Sequence, residues 1–260
     1  MFCSNIARIK ELHEKYPDRI TELNNLFSGR VNVYVDYANV RPWAQRLDWN
    51  IDIKRLKQFL YSFDNVSSIK FYNGTLLGDT KSEVFAKEAR KVFKDGYRTK
   101  SVKIMKHSVD YSSIKPTETS LLEQFIRKCL LLNYELRTIE YLNEKFKEMN
   151  ARGTLYIEDR KCNFDVEIGR DMLLDYERGL ADTFVLWSGD SDFYEPISQL
   201  LKDKKNVLLF ATSRRVSSEL NSLQKDGLFI YDIQKIRNFI CYREQIQDIA
   251  KGTPCGAPKL

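Results

Sequence analysis

The stretch Phe184 to Phe193, FVLWSGDSDF, constrains the fold of this chain more than any other. Phe184-Val185-Leu186-Trp187 is an apolar run of the kind that forms a strand buried on both faces, as in a parallel sheet between helices. It breaks at Ser188-Gly189 and presents Asp190 and Asp192. Phe193, Ile197, Leu200 and Leu201 then recur at helical spacing. Two carboxylates therefore stand where a buried strand ends and a helix begins. In open α/β sheets that edge is where ligands bind.

The rest of the chain alternates in the same way. Val31 to Val35 is a strand rich in β-branched residues that ends in Asp36-Tyr37-Ala38-Asn39, again a carboxylate at a strand's carboxyl end. Asp36 has an ordinary alternative as a helix or loop cap. Ile51 to Phe63 reads as an amphipathic helix, Val66 to Tyr72 as a second strand and Asp79 to Lys94 as a helix closed by Gly96. Val102 to Met105 reads as a third strand. Further on, Asn206 to Phe210 is a buried strand, Ser217 to Leu223 a short helix and Leu228 to Tyr231 a last strand. The fold class is α/β, a parallel sheet flanked by helices.

Two helical additions frame this sheet. Residues 4 to 27 form two short helices divided by Pro17, a helical cap on the main domain. Residues 118 to 150 are helical and charged and interrupt the βα alternation, an insertion that suits a lid or a dimerisation arm and so allows a homodimer. The expected domains are 1–28, a helical extension; 29–240, the main domain with the insertion at about 118–150; and 241–260, a C-terminal extension. The Gly/Pro-rich tail of that extension, from Lys251, is expected to be disordered.

Composition removes several classes. Hydrophobic residues make up 43% of the 260, enough for a sizeable core. Five scattered cysteines without a CxxC pair, and two histidines, argue against a disulfide framework or a zinc site and for a reducing cytoplasm. Neither a secretory h-region nor an apolar run of membrane-spanning length is present, so no membrane role is expected. The net charge of +6 permits a polyanionic partner. Between Lys87 and Lys106 the basic residues Lys87, Arg90, Lys91, Lys94, Arg98, Lys100, Lys103 and Lys106 face only Glu88 and Asp95. As a cluster they lean toward nucleic acid; singly, each suits a solvated surface.

A fourth acid lies in Arg160 to Ile168. Asn163 caps a helix that starts near Phe164 and runs to about Tyr176, placing Asp165 in its first turn, where the helix dipole favours an acid. Glu167 falls about 200° around the helix from Asp165, so the two cannot serve one site. Asp165 is the preferred ligand, Asp171 the second, and Glu167 a surface or salt-bridging residue. Lys161 could hold a carboxylate or a phosphate, or be solvated. Ser213 and Arg214 lie at another strand end and suit a backbone phosphate or a plain loop and cap equally.

Asp36, Asp165, Asp190 and Asp192 come from distant parts of the chain, and crowded carboxylates without cations repel. A hard divalent cation such as Mg²⁺ relieves this and promotes displacement at phosphorus. With no cysteine or histidine placed as a nucleophile, metal-dependent phosphodiester hydrolysis fits best.

VYVDYAN (Val33 to Asn39), KCNFDVEIGRDM (Lys161 to Met172), FVLWSGDSDF and SRRVSSEL (Ser213 to Leu220) together resemble the successive motifs of the NYN domain, a PIN-like nuclease family, over about residues 31 to 232. The resemblance implies a Rossmann-like sheet, a Mg²⁺- or Mn²⁺-dependent ribonuclease, and Asp36, Asn39, Asp165, Asp190 and Asp192 as its acidic pocket. The insertion before Lys161 is longer than a minimal domain needs. On this reading Asp36, Asp165 and Asp190 hold the metal and Asp192 is an outer ligand or orients the attacking water. Asn39 and Ser188 position ligands or phosphate, and Lys161 and Arg214 bind the RNA backbone. RNA is the expected partner, and the residues do not separate it from DNA. Two alternatives stand beside the endoribonuclease. One is an RNA-binding module with little catalysis. The other is a haloacid-dehalogenase-type phosphatase, weakened by Ala38 where that chemistry needs a second acid.

Overall fold

The computed structural model describes residues 1–108, 137–141, 144, 156–212 and 215–246. Its strands are β1 (Val31–Asp36), β2 (Val66–Thr75), β3 (Tyr97–Ser101), β4 (Lys103–Ser108), β5 (Tyr156–Lys161), β6 (Thr183–Trp187), β7 (Asn206–Ala211) and β8 (Phe229–Asp232). Six of them form one sheet in the order β3-β2-β1-β6-β7-β8, and every pairing in it is parallel. The strand order runs outward from β1 in one direction and from β6 in the other. This is the doubly wound arrangement, whose reversal opens a crevice at the strands' carboxyl ends between β1 and β6.

Helices α1 (Ala7–Lys15), α2 (Pro17–Leu26), α3 (Tyr37–Val40), α4 (Ala44–Leu47), α5 (Ile53–Leu60), α6 (Thr80–Phe93), α7 (Asp165–Glu177) and α8 (Tyr194–Lys202) cover this sheet and its edges. Successive side chains of a strand point to opposite faces, and β2 shows the two layers. Phe71 stacks on Phe93 of α6 at 4.3 Å, whereas Tyr72 donates a hydrogen bond to Asp171 of α7 at 2.8 Å. β1 and β6 are buried at every position, which their apolar sequences require. Trp187 packs on Phe210 at 5.2 Å, and Phe210 stacks on Tyr231 at 4.8 Å, joining β6, β7 and β8 through one aromatic row.

The N-terminal helices divide at Pro17, which occupies the first turn of α2, where its missing N–H costs nothing. Ile9, Leu12, Ile20, Leu23 and Phe27 lie in the same core as the sheet. The Arg8 guanidinium also donates to the Phe239 carbonyl at 2.8 Å.

The third strand differs from expectation. The strand paired with β2 is Tyr97–Ser101, in the register Phe71↔Tyr97, while Lys103–Ser108 belongs to a separate ladder. The single strand expected at Val102 to Met105 fails because two strands meet there. β3 is an edge strand with only Tyr97 buried, so YRTKS carries no apolar run to announce it. Residues Lys103–Lys161 form a second compact unit. Within it β4 and β5 pair antiparallel, Lys103 opposite Lys161 and Ser108 opposite Tyr156. Residues 137–141 and 144 are helical, and the remainder of the expected insertion, like the tail from Lys251, lies outside the described residues.

Candidate acidic site at the switch point of the sheet

Asp36 closes β1 at the crevice and is 4% exposed. It caps the short α3, its Oδ1 accepting from the Asn39 amide at 3.4 Å. β6 ends alongside, and Ser188 stands between two acids. Its hydroxyl donates to Asp36 Oδ2 at 3.2 Å and accepts from the Asp190 amide at 3.3 Å. Asp190 caps the next turn by accepting from the Asp192 amide at 3.2 Å. Asn39 turns its side-chain oxygen to the Gly189 amide at 3.1 Å and ties the two strand ends together. Capping and site-forming roles are therefore combined in Asp36 and Asp190.

The third wall is the start of α7. The Asp165 amide donates to Asn163 Oδ1 at 2.9 Å, which turns the chain into the helix. Burial pushes the Asp165 carboxyl up to about 7 against the bond Asn163 offers. The charges of Asp36 and Asp190 and a hydrogen-bonding contact with Asp192 raise it further. Burial likewise raises Asp36 to about 6; the bonds from Asn39 and Ser188 oppose this, and the Asp190 charge adds to it. The structure thus brings Asp36, Asp165, Asp190 and Asp192 to one place, with Asn39 and Ser188 among them.

The other candidates lie elsewhere. Asp171 is about 1.7 turns further along α7, held by Tyr72 and by the Arg170 guanidinium at 2.9 Å. Although burial opposes it, those bonds hold its carboxyl below the ordinary range. Glu167 pairs with Lys100 at 2.6 Å, and Lys100 lies 4.5 Å over the Phe164 ring. Arg214 lies outside the described residues, as does the Lys161 side chain. The basic cluster divides between the two faces of the sheet. Arg90, Lys91 and Lys94 are exposed along and just beyond α6. Arg98 is in register with Tyr72 on the opposite face and donates to the Asp95 and Tyr97 carbonyls.

One feature of the site had only a glycine as its signal. The loop after β7 crosses so close to Gly189 that a Cβ there would lie 1.6 Å from the Arg215 carbonyl oxygen. The Gly189 carbonyl also accepts from the Ser217 amide at 3.0 Å.

The donor set is all oxygen, and among the described residues none of the four carboxylates has an ion-pair partner. Nor, among those residues, does any group of three or more His, Cys, Asp or Glu side chains suffice to hold a metal ion. The oxygen chemistry of the four carboxylates alone suits a hard ion such as Mg²⁺ or Mn²⁺ better than a metal that prefers nitrogen or sulfur. Mg²⁺ is commonly bound by one or two carboxylates, with waters and substrate phosphates completing its shell.

The burial of Asp36 predicts a pH effect. Its carboxyl titrates at about 6 in the folded chain against an ordinary 3.8. The folded state therefore binds more protons than the unfolded state across that window, and Asp36 makes stability fall as pH rises through it. A shift of this size corresponds to about 3 kcal/mol. In EDTA, the Asp36→Asn variant should gain up to about 3 kcal/mol on the wild type between pH 4 and pH 7.5. Urea denaturation at the two pH values measures this, and a pH-independent difference contradicts it.

A family model described as the NYN domain matches residues 30–232. A crystal structure of a protein of unknown function from Vibrio parahaemolyticus is similar at 16% identity and a TM-score of 0.47, covering 82% of this chain and 96% of that one. No curated protein matches. Among the described residues no helix is long and apolar enough to cross a membrane. The family match runs from β1 to β8 and takes in both acid-bearing strand ends and the start of α7: the chain belongs to the NYN-domain family, whose fold is nuclease-like.

Proposed function

We propose that this chain is a metal-dependent endoribonuclease. One observation carries the reading: carboxylates from three separate elements, the ends of β1 and β6 and the first turn of α7, converge at the sheet's switch point without a cationic partner among the described residues. Asp36, Asp165 and Asp190 would hold Mg²⁺ or Mn²⁺, directly or through water. Such an ion supplies an activated water and neutralises charge developing at phosphorus. Asp192, the exposed member, orients the attacking water. Ser188 and Asn39 fix the acids relative to one another. Residues 29–240 constitute the nuclease domain, and 1–28 is a helical extension that shares its core.

The RNA needs a cationic surface outside this acidic crevice, and α6 offers one. Lys87, Arg90, Lys91 and Lys94 are exposed at spacings of three and four residues. The acids of α6 are turned to other partners: Glu88 to Lys54 at 3.0 Å and Glu83 to the Gly78 amide at 2.9 Å. Like charges at these spacings destabilise a helix by a few tenths of a kcal/mol per pair, which a polyanion laid along it reverses. Changing the four to Gln should raise KM for a long RNA about tenfold with little change in kcat. The log–log salt dependence of binding should become shallower by up to about 3. Steady-state cleavage and a salt titration of RNA binding check this. An unchanged salt slope rules out the ridge.

The reading itself is tested by incubating labelled RNA with the full chain in Mg²⁺, Mn²⁺ or EDTA. Cleavage with either ion and none in EDTA supports it. Tight RNA binding without cleavage in either ion supports a non-catalytic RNA-binding module instead.

A further inference from the structure

α7 carries two acids that do not reach the crevice, Asp171 and Asp175, and both are buried against the sheet. On β1, Asn32, Tyr34 and Asp36 alternate along one face. The upper member, Asp36, belongs to the acidic site. The lower two bind Asp175, Asn32 Nδ2 at 2.9 Å and the Tyr34 hydroxyl at 2.5 Å. Lys70, in register with Tyr34 on β2, completes the cluster with its ammonium at 2.8 and 3.0 Å from the Asp175 oxygens. One turn nearer the site, Tyr72, in register with Asp36, donates to Asp171 at 2.8 Å. The helix is thus clamped to β1 and β2 at two levels below Asp165.

Apolar packing alone does not fix this register. The buried apolar contacts of α7, Ile168 and Met172 among them, are non-directional. A slide of one turn, about 5.4 Å, would exchange one apolar contact for another while carrying Asp165 away from Asp36 and Asp190. Directional bonds to buried groups forbid the slide, because each would be left unpaired. Replacing a buried ion pair by apolar residues is often neutral or stabilising, and fixing register is the best-attested use of such a pair.

We infer that Asp171 and Asp175, with Tyr72, Tyr34, Asn32 and Lys70, are positioning residues that set the register of α7 and so deliver Asp165 to the site. The inference rests on the nuclease reading for its consequence in catalysis, though not for its consequence in structure. Two variants test it: Tyr72→Phe, which removes one hydroxyl, and the apolar replacement Lys70→Met with Asp175→Leu. Tyr72→Phe should melt within a few degrees of the wild type, and the double replacement, which leaves the Tyr34 hydroxyl and the Asn32 amide without their acceptor, should melt lower. Both should lose kcat on RNA tenfold or more at unchanged KM, and bind Mn²⁺ at least threefold more weakly in calorimetry. Asp171→Asn, which can still accept from Tyr72, should retain most activity. Hydrogen exchange read by mass spectrometry should show lost protection across Phe164 to Arg170, with β1 and β6 still protected. Native exchange at the start of α7 in a stably folded variant overturns the inference, as does native kcat. If Lys70→Met with Asp175→Leu fails to fold, Tyr72→Phe decides. If the wild type neither cleaves RNA nor binds Mn²⁺, the nuclease reading fails and the exchange result alone decides the register.

Discussion

Asp190→Asn should reduce metal-dependent RNA cleavage by about a thousandfold, equivalent to about 4 kcal/mol of transition-state stabilisation, and leave the fold intact. The side-chain oxygen of Asn can still accept from the Asp192 amide, the capping bond Asp190 makes at 3.2 Å. What is lost is a charge beside Asp36 and Asp165, both of which the Asp190 charge pushes toward the neutral form. Thermal unfolding in EDTA should therefore be unchanged or shifted upward, while single-turnover cleavage in Mn²⁺ collapses. Asp192→Asn, at the exposed rim, should cost only about tenfold, on the scale of an outer-shell contact. Retained cleavage by Asp190→Asn, with the variant shown to be folded, contradicts the site.

Gly189→Ala should damage stability and activity together. The added Cβ would meet the Arg215 carbonyl at 1.6 Å, a backbone atom that cannot rotate away. The same residue anchors the site through its amide, bound to Asn39, and its carbonyl, bound to Ser217. Forced separation of the two loops should cost about 3 kcal/mol, a fall in Tm of about 6–12 °C for a chain of this size. Cleavage should fall with it, because Asp190 follows the displaced glycine. Gly169→Ala is the control: its Cβ would meet only the Pro196 side chain, at 3.4 Å. In a helix that substitution should be neutral or stabilising by up to about 1 kcal/mol. Calorimetric melting of both variants separates these outcomes, and a Gly189→Ala protein as stable as the wild type removes the close approach from the account.

The site's acids could be read from the sequence because each rests on local information. An apolar run as pure as FVLW marks a central strand, and whatever polar residue follows it must stand at the sheet's edge. VNVYVD carries the same signal one strand away. Asp165 was legible through Asn163, which stands one residue before the N-cap Phe164 and turns the chain into the helix by accepting from the Asp165 amide. What escaped depends on register between distant strands. Arg98 and Lys91 look like one basic cluster in the chain, yet Arg98 aligns with Tyr72 on one face while Lys91 rides on α6, whose Phe93 packs on Phe71 of the other face. Asp171 looked like a spare ligand because nothing local announces the Tyr72 hydroxyl that holds it. β3 went unrecognised because an edge strand can be polar throughout.

If the converging carboxylates support hydrolysis of an RNA phosphodiester by water, the ends of the products record it. The most direct measurement is product-end analysis of a labelled RNA and of the same RNA with a 2′-deoxynucleotide at the cleaved position, in Mn²⁺ and in EDTA. Hydrolysis by water should give a 5′-phosphate and a 3′-hydroxyl in Mn²⁺, cleavage that survives the 2′-deoxy substitution, and no product in EDTA. A 2′,3′-cyclic phosphate, dependence on the 2′-hydroxyl, or undiminished cleavage in EDTA would contradict it.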